Sequence, residues 1–436
     1  MTGEHLDAIG VGVGPFNLSL AALLAPVEGV AAQFFDRRPS FDWHPGLLLP
    51  DARLQTSFLK DLVTAADPRS PYSFLSYLVE KRRFYEFLNA DFQAITRAEF
   101  ADYLAWAAAR VPALNFGTEV REIDFDGEAF EVRTDRDRRR ADNLVVATGQ
   151  QRHRPAWAEP FCGTRCFHGA ELLQRNPEAA GAALAIIGGG QTGAEVFLAF
   201  ARGLFGRVRS ITWISQRPNF EPLDETHFTN EYFTPGYQRV FLDLPPERRR
   251  EIVEAQRLAS DGISPDTLAE VYQLLYRERH LSQAGARYRL CPDREAVAME
   301  GGGAALKVTL RNQLTGEAEA CQADLVLLCT GYRSELPEIL APIARRMTRD
   351  DEGRPELDAC YRALWDGPAG KRIYLQNFGR HSHGIADPQL SLMAWRSAVI
   401  ANDLAGRQVY DIAPCAPPIT WRSGDAPRRE SRFEAA

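Results

Sequence analysis

The stretch DAIGVGVGPFNLSLAALLA, from Asp7 to Ala25, decides the fold of this chain. A short apolar run ends in the turn Gly12-Val13-Gly14, and a helix-like apolar pattern begins directly after it. The order strand, glycine turn, helix is how a first βαβ unit brings its backbone close to a pyrophosphate, because the free N–H groups and the dipole of the helix face the anion. The stretch therefore predicts a dinucleotide-binding unit at the start of the chain.

The turn departs from the GxGxxG pattern at its last position, where Asn17 replaces the glycine that permits close packing of the helix. The next predicted strand, AAQFFDRR, places Asp36 22 residues after Gly14. A carboxylate at about this spacing reaches a ribose 2′-hydroxyl. A glycine-rich surface turn is the alternative, and the position of Asp36 favours the nucleotide site.

A second glycine turn lies in LAIIGGGQTGAEVFLAFA, where Gly188, Gly190 and Gly193 complete the GxGxxG pattern between an apolar strand and a helix. The following predicted strand, SITWISQR, ends in Arg217 instead of an acid. A guanidinium at this place can bind a 2′-phosphate, which favours NADPH over NADH. Two such units, the first with an acid and the second with an arginine, are typical of flavoproteins that bind FAD and NADPH.

The predicted fold class is α/β, with two Rossmann-like dinucleotide-binding domains for FAD and NADPH and a small, mostly helical substrate-binding region. We expect residues 1–165 to form the first part of the FAD-binding domain and residues 166–324 the NADPH-binding domain, with a helical insertion around 219–282. Residues 325–421 are expected to return to the FAD-binding domain and the substrate site. The tail, residues 422–436, is expected to be disordered because of its composition.

Capping signals predict helices between these units. Ser70-Pro71 and the capping box that begins at Thr96 each mark a helix start, and Ser264 is the expected cap of a third helix. The expected helices cover residues 71–88, 97–110, 245–259 and 265–281.

The composition excludes several classes of function. The chain has 436 residues, is 45% hydrophobic and carries a formal net charge of −7, so it offers no overall basic surface for nucleic acid or anionic lipid. No apolar run approaches the length of a membrane span, and we expect no secretory signal, because the first residues given run directly into the first predicted strand. Seven scattered cysteines do not form a disulfide framework, which favours a reducing cytoplasm. Cys162 and Cys166 lack a second pair that would complete a metal site, so no metal is expected.

The long connection from Phe41 to Phe74 is rich in aromatic, proline and isolated polar residues. A connection of this length usually carries function. Its candidates for contact with a cofactor or substrate are Trp43, His44, Gln55 and Lys60, and the alternative for each is an ordinary loop position. A second candidate segment, LDETHFTNEYFTP, mixes acids and amides with aromatic residues and suits a polar small molecule.

Several stretches together resemble one family, the flavin-dependent N-hydroxylating monooxygenases of siderophore biosynthesis, which act on lysine, ornithine or diamines. The most specific are QTSFLKDLV and NEYFTP, and the others span residues 7 to 424. They are GVGPFNLSLAAL, FDWHPGLLLPD, SPYSFLSYL, GGGQTGAE, SDGI, TGYRSELP, HGIADPQLSLMAWRS and ITWRSG. The family also has asparagine at the place of Asn17.

The resemblance implies a reaction and a setting. Bound FAD is reduced by NADPH and reacts with O2 to a C4a-hydroperoxyflavin, which transfers one oxygen atom to a primary amine and leaves a hydroxylamine and water. The flavin supplies this chemistry, so no side chain is predicted to act as acid or base, with Gln55 in a supporting role. The family further implies an early step of hydroxamate siderophore biosynthesis and a homotetramer.

The resemblance also implies a role for each matching position. The residues expected to hold FAD are Gly12, Gly14, Asn17 and Asp36, and those expected near the flavin ring or the nicotinamide are Trp43, His44 and Gln55. The residues expected to hold NADPH are Gly188, Gly190, Gly193 and Arg217. Lys60 and Asn230 are expected to bind the head group of the substrate, and Ser391 is expected near both flavin and substrate.

The substrate implied first is L-lysine, hydroxylated at its terminal amine, because the Lys60 ammonium would face a carboxylate that a diamine lacks. Putrescine and cadaverine stay open, since their hydroxylases share most of these motifs. Ser260-Asp261 stands where ornithine hydroxylases have an asparagine-tyrosine pair, which argues against ornithine. Asp261 would favour a diamine if it faced a second ammonium.

Three other classes of protein are alternatives to this family. Disulfide reductases share both nucleotide folds but need a redox cysteine pair after the first unit, and no cysteine lies between Asn17 and Phe161. Baeyer-Villiger and S-oxidising monooxygenases have an FxGxxxH linker, whereas Phe161, Gly163 and His168 are spaced one residue too long. A nucleotide-binding protein without turnover is the third class, which an assay of NADPH oxidation and hydroxylamine separates from an enzyme.

Overall fold

The structure is a computed structural model that describes residues 5–282, 287–301, 303, 305–413 and 418–422. The expected disordered tail lies outside the described residues from position 423 onward. Within the described part of the chain, no helix combines the length and the apolar character needed to cross a membrane.

Strands and helices alternate along most of the chain. The strands are β1 (His5–Val11), β2 (Ala32–Asp36), β3 (Leu114–Phe116), β4 (Val120–Phe125), β5 (Phe130–Thr134), β6 (Arg138–Val146), β7 (Gln151–Arg152), β8 (Cys166–His168), β9 (Ala183–Ile187), β10 (Ser210–Ile214), β11 (Tyr288–Cys291), β12 (Arg294–Glu300), β13 (Leu306–Asn312), β14 (Ala318–Ala323), β15 (Leu325–Leu328), β16 (Tyr332–Arg333) and β17 (Arg372–Leu375). The helices are α1 (Pro15–Leu24), α2 (Phe74–Glu80), α3 (Phe84–Ala90), α4 (Arg97–Ala108), α5 (Leu172–Arg175), α6 (Gln191–Ala201), α7 (Pro235–Leu242), α8 (Pro246–Ala255), α9 (Leu258–Asp261), α10 (Pro265–His280), α11 (Ala341–Ala344), α12 (Arg380–His383) and α13 (Met393–Ala405).

The first lobe is built on a seven-stranded sheet with the order β3-β2-β1-β6-β5-β4, in which β17 also pairs with β6. Strands β1, β2, β6 and β17 run parallel, so their carboxyl ends meet at one edge of the sheet. The first glycine turn follows β1 there, and Asp36 ends the neighbouring strand β2. Helices α1, α4 and α13 contribute to the core beside this sheet.

The second lobe is built on a five-stranded parallel sheet with the order β11-β10-β9-β15-β8, accompanied by the antiparallel sheet β12-β13-β14. Strand β9 leads through the second glycine turn into α6, whose apolar face packs against the sheet. The predicted α/β fold with two Rossmann-like units is therefore confirmed. Because β15 pairs with β9 and β8, the chain leaves the second sheet after Leu328 and not at the expected boundary, residue 325.

The two lobes are joined after β6 and β15, where Thr148-Gly149 and Thr330-Gly331 follow the strands. Strands β7 and β16, which follow these two ends, pair with each other in an antiparallel ribbon. The helices of the expected insertion divide between the lobes: α10 packs on α6, whereas α7 and α8 pack on α12, which follows β17. The insertion therefore lies between the lobes instead of belonging to the second alone.

Two helix predictions differ from the structure. The helix expected over 71–88 is interrupted after α2, because Arg82 adopts a left-handed backbone conformation with φ 57°. The helix expected over 245–259 is likewise divided into α8 and α9. The helices expected over 97–110 and 265–281 are α4 and α10, but the Ser264 hydroxyl does not cap α10. It accepts a hydrogen bond from another side chain, described below.

Candidate active site

A single large cleft of about 2430 Å³ is lined by residues of both lobes. Pockets that hold one small ligand measure roughly 300 to 1,000 Å³, so this cleft has room for more than one bound molecule. The predicted site residues that line it are Gly12, Gly14, Asp36, Trp43, His44, Gln55, Lys60, Asn230 and Ser391. The predicted residues that do not line it are Asn17, Gly188, Gly190, Gly193 and Arg217.

The first glycine turn presents bare backbone to the cleft. Gly12 has φ 84°, and a Cβ at this position would lie 2.6 Å from the Ala147 carbonyl oxygen, so only glycine fits. Gly14 precedes α1 without a side-chain cap, and a Cβ there would meet no atom within 4 Å. The first amides of α1 are thus left for an anion, which is the geometry that a dinucleotide pyrophosphate requires.

Asp36 lies beside this turn and is held in place by Arg38. Its carboxylate accepts a hydrogen bond of 2.8 Å from the Val13 amide, and Arg38 donates to both carboxylate oxygens. Burial raises the pKa of Asp36, but the hydrogen bonds and the charge of Arg38 outweigh this effect and lower the pKa below its usual value. The carboxylate therefore stays ionised as a hydrogen-bond acceptor at the cleft.

Asn17 is buried on the side of the first glycine turn that faces away from the cleft, and its side chain forms hydrogen bonds to that turn. Its Nδ2 donates to the Gly12 carbonyl over 2.8 Å, and its Oδ1 accepts from Gln376 Nε2 over 2.8 Å. Since the side chain does not line the cleft, its contribution is to fix the conformation of the turn.

The second glycine turn has Gly193 at the place that Asn17 takes in the first turn. A Cβ on Gly193 would lie 2.2 Å from the Gly188 carbonyl oxygen, which instead accepts a hydrogen bond of 2.8 Å from Trp213 Nε1. An asparagine amide in the first turn and a tryptophan indole in the second thus satisfy equivalent carbonyl groups.

The loop after β2 supplies an aromatic wall. The rings of Trp43 and His44 meet edge to face with centroids 4.8 Å apart, and His44 has φ 51°. Burial, with a smaller contribution from the charge of Arg97, lowers the pKa of His44 to about 4. The imidazole is therefore neutral at physiological pH.

Gln55 links the two lobes across the cleft. Its Nε2 donates to Ser264 Oγ over 3.1 Å and to Gln191 Oε1 over 3.5 Å. Gln191 is the first residue of α6 and follows Gly190 directly, so this contact lies at the helix end that the second glycine turn exposes. Gln191 is not among the predicted site residues, although its place within the glycine motif is a sequence signal for one.

Lys60 lines the cleft as an unneutralised cation. Burial lowers its pKa, no charged neighbour contributes to that shift, and it has no ion-pair partner among the residues that the structure describes. Asn230 and Ser391 line the same cleft from the segment before α7 and the turn before α13. The cleft thus combines a cation with amide and hydroxyl groups, which suits a ligand that carries a carboxylate.

Arg217 and Asp261 lie behind the lining of the cleft. Arg217 Nη1 donates to the Asp261 backbone carbonyl over 2.9 Å, and burial lowers the pKa of this arginine. The Asp261 carboxylate is paired with Arg380 at 2.9 Å and does not line the cleft. The structure therefore gives no support to a second ammonium bound by Asp261.

Comparison with known proteins agrees with this arrangement. Residues 4–334 match the family described as L-lysine 6-monooxygenase/L-ornithine 5-monooxygenase. The chain is 41% identical over 423 residues to the L-lysine N6-monooxygenase of Escherichia coli, covering 97% of this chain and 99% of that protein.

Two solved structures are similar over nearly their whole length. One is the cadaverine monooxygenase of Erwinia amylovora bound to FAD, with a TM-score of 0.89, 29% identity, and coverage of 97% of this chain and 100% of that one. The other is the ornithine N-hydroxylase of Kutzneria sp. 744 with reduced FAD, NADP+ and L-ornithine, with a TM-score of 0.84, 28% identity, and coverage of 92% and 99%.

Proposed function

The chain belongs to the L-lysine 6-monooxygenase/L-ornithine 5-monooxygenase family, and we propose that it hydroxylates the terminal amine nitrogen of L-lysine, with FAD and NADPH as cofactors and O2 as oxidant. The observation that carries the choice of L-lysine is the unpaired ammonium of Lys60 in the cleft. The product, N6-hydroxylysine, belongs to an early step of hydroxamate siderophore biosynthesis.

FAD occupies the first lobe in this proposal. The bare backbone at Gly14 and the first amides of α1 suit its pyrophosphate, and the ionised Asp36 suits a ribose hydroxyl. NADPH occupies the second lobe, at the N-terminal end of α6, where Gln191 and Thr192 line the cleft. When bound and reduced by NADPH, FAD would supply the activation of O2 and the oxygen transfer to the amine.

Arg217 is proposed to contact the 2′-phosphate of NADPH. Only its Nη1 has a hydrogen bond to protein among the described side chains, to the Asp261 carbonyl, so other N–H groups of the guanidinium remain for a phosphate. Arg217 does not line the cleft, but it follows β10 at the carboxyl edge of the second sheet, which is the edge where nucleotides bind in this fold. A nucleotide bound in the second lobe would therefore extend past the cleft to Arg217.

Lys60 gives the substrate its orientation. An α-carboxylate bound by the Lys60 ammonium directs the chain of L-lysine and its terminal amine away from Lys60, into the cleft. Asp224 and Glu225 line the same cleft and suit an α-ammonium, but they suit the second ammonium of a diamine equally. Lys60 is therefore the feature that separates L-lysine from cadaverine, which is the same molecule without the carboxylate.

The walls of the cleft prepare the reacting amine. An ammonium has no lone pair, so the nitrogen must lose its proton before it accepts oxygen. Trp43, Leu54 and Phe233 line the cleft with apolar surface. A less polar environment disfavours the charged form of an amine and lowers its pKa, and it also excludes water from the reacting oxygen.

The domain assignment follows from the same proposal. Residues 1–165 and the segment that returns with β17 and α13 bind FAD, and the second lobe, residues 166 to 328, binds NADPH. The homotetramer, which the family resemblance implies, and the cytoplasmic location, which the cysteine content favours, stay predictions.

A substrate panel tests the proposal. L-Lysine, L-ornithine, putrescine and cadaverine are each incubated with the FAD-loaded enzyme, NADPH and O2, and the hydroxylamine formed is measured. Hydroxylamine is the required readout, because release of hydrogen peroxide also consumes NADPH. We expect the highest kcat/KM for L-lysine. Hydroxylation of the diamines alone would contradict the choice of substrate, and the absence of any hydroxylamine would contradict the activity.

A further inference from the structure

A largely buried ion pair, Arg97–Glu195, connects the two lobes inside the cleft, where the more exposed pair Asp51–Arg202 also joins them. Arg97 Nη1 and Nη2 donate to Glu195 Oε2 and Oε1, each over 2.8 Å, so the guanidinium and the carboxylate meet at two points. The side chains are 15% and 8% exposed. A two-point contact between planar groups fixes their distance and also their relative orientation.

The partners belong to different hydrophobic cores. Arg97 is the first residue of α4, whose apolar face packs in the core of the first lobe. Glu195 lies on α6, whose apolar face packs in the core of the second lobe. The Arg97 amide also donates to the Ala52 carbonyl over 2.8 Å, which ties the ion pair to the loop that carries the predicted site residues. A change in the spacing of the lobes would have to break this contact.

Hydrogen bonds extend from the ion pair toward the second glycine turn. Glu195 Oε1 also accepts from Gln191 Nε2 over 2.9 Å, and Gln191 Oε1 accepts from the Ser264 amide over 2.8 Å. Gln55 of the first lobe donates to both Gln191 and Ser264. The N-terminal end of α6 is thus held against the first lobe by a network of charged and amide groups, and all of these residues line the cleft.

Stability alone is a weak explanation for this pair. Removing two charges from water costs roughly what their attraction returns, so a buried ion pair adds little net stability. What it does fix is geometry. Hydride transfer between two cofactors held in different lobes depends steeply on their separation, and an error of about 1 Å costs about 100-fold in rate.

We propose that Arg97 and Glu195 are positioning residues that set the spacing between the two glycine turns, and so between the cofactors that these turns hold. This inference rests on the proposed function, since it presumes FAD in the first lobe and NADPH in the second. It assigns to this pair a role in flavin reduction and none in recognition of the amine.

The test uses the full-length protein loaded with FAD. Arg97→Gln and Glu195→Gln each remove one charge, and the double variant Arg97→Glu/Glu195→Arg exchanges the two. The matched control is Glu278→Gln, because Glu278 and Arg287 form a similar two-point ion pair, 21% and 18% exposed, within the second lobe alone. Arg97→Lys keeps the charge but not the two-point contact, so it serves if a glutamine variant fails to fold.

Two readouts are taken without any amine present, so the identity of the substrate does not affect them. The first is hydrogen–deuterium exchange of residues 191–201 in the absence of nucleotide, which should become about tenfold faster in each glutamine variant. The second is anaerobic reduction of the flavin by NADPH, which should slow about 10- to 100-fold, while the Kd of NADP+ stays within about threefold. The double variant Arg97→Glu/Glu195→Arg should recover most of the wild-type exchange protection and most of the wild-type rate of flavin reduction. The control Glu278→Gln should change neither quantity, and Arg97→Lys should reduce its flavin at an intermediate rate.

The proposal is overturned if the glutamine variants reduce their flavin at the wild-type rate. It is also overturned if the Kd of NADP+ rises by the same factor as the rate falls, since the pair would then bind the nucleotide. Failure of the exchanged pair to improve on the single variants would show that the two residues do not act through each other.

Discussion

Replacing Lys60 by methionine removes the ammonium from the cleft and leaves a side chain of similar length. A hydrogen bond to a charged group contributes about 1.5 to 3 kcal/mol, and Lys60 is only half-buried, so solvent screening moves the effect toward the lower end. Since about 1.4 kcal/mol corresponds to a factor of ten, we expect kcat/KM for L-lysine to fall about 10- to 30-fold. The loss should lie mostly in KM, because the contact is made in the bound substrate as well as in the transition state.

Cadaverine makes this prediction specific. It lacks the carboxylate, so its kcat/KM in Lys60→Met should stay within about threefold of the wild-type value. The assay is hydroxylamine formation at varied amine concentration for both substrates, with Lys81→Met, a change at an exposed lysine outside the cleft, as the control. An unchanged KM for L-lysine would remove Lys60 from the site. An equal loss for both amines would show that Lys60 supports the shape of the cleft and does not bind a carboxylate.

Three further predictions test other parts of the structure. Gly193→Ala places a methyl group 2.2 Å from the Gly188 carbonyl oxygen, so we expect thermal denaturation to show a loss of about 1 to 3 kcal/mol and weaker NADPH binding, whereas Gly163→Ala, which meets no atom within 4 Å, should change neither. Arg217→Ala should raise the KM for NADPH more than that for NADH, and equal increases would argue against a contact with the 2′-phosphate. His44 is neutral in the folded protein and binds a proton more readily when unfolded, so the folded state loses about 3 kcal/mol of stability as the pH falls from about 6.5 to about 4. In His44→Asn, whose asparagine tolerates the left-handed backbone, chemical denaturation should show a smaller loss of stability over the same pH interval.

The features that could be predicted from the sequence are local ones. Each strand, glycine turn and helix is encoded within about twenty consecutive residues, so it can be recognised without knowledge of the fold. Asp36 was predictable for the same reason, because the spacing between Gly14 and the end of the next strand is set by one βαβ unit. The cleft brings Gly12, Gly14 and Asp36 together with Lys60 and Asn230, and the roles of these residues stay predictions.

The features that could not be predicted depend on contacts between distant parts of the chain. Arg97 and Glu195 are 98 residues apart, and each is explained locally, the first by a capping box and the second by a helix. In the sequence, Asp261 is a candidate ligand for an ammonium. Its actual partner, Arg380, lies 119 residues away, so the sequence does not show that the carboxylate is already paired. The apolar run at Leu325 indicates a strand, but only the pairing of β15 shows that this strand belongs to the second sheet.

Asn17 shows what a local departure from a motif does not reveal. The sequence shows a missing glycine, and the family resemblance implies that Asn17 helps to hold FAD, which stays a prediction. In the structure, the amide of Asn17 bonds to the Gly12 carbonyl and to Gln376, which follows β17. The substitution therefore needs a partner from the far end of the chain, and the motif alone contains no information about it.

The most direct test is a crystal structure of the protein with FAD, NADP+ and L-lysine, in which one distance is measured, from Lys60 Nζ to the nearer oxygen of the substrate carboxylate. We predict about 2.7 to 3.2 Å, with FAD at the first glycine turn and the terminal amine of L-lysine directed away from Lys60. A carboxylate more than about 4 Å from Lys60, bound instead by another cation, would contradict the account of how this protein selects its amine.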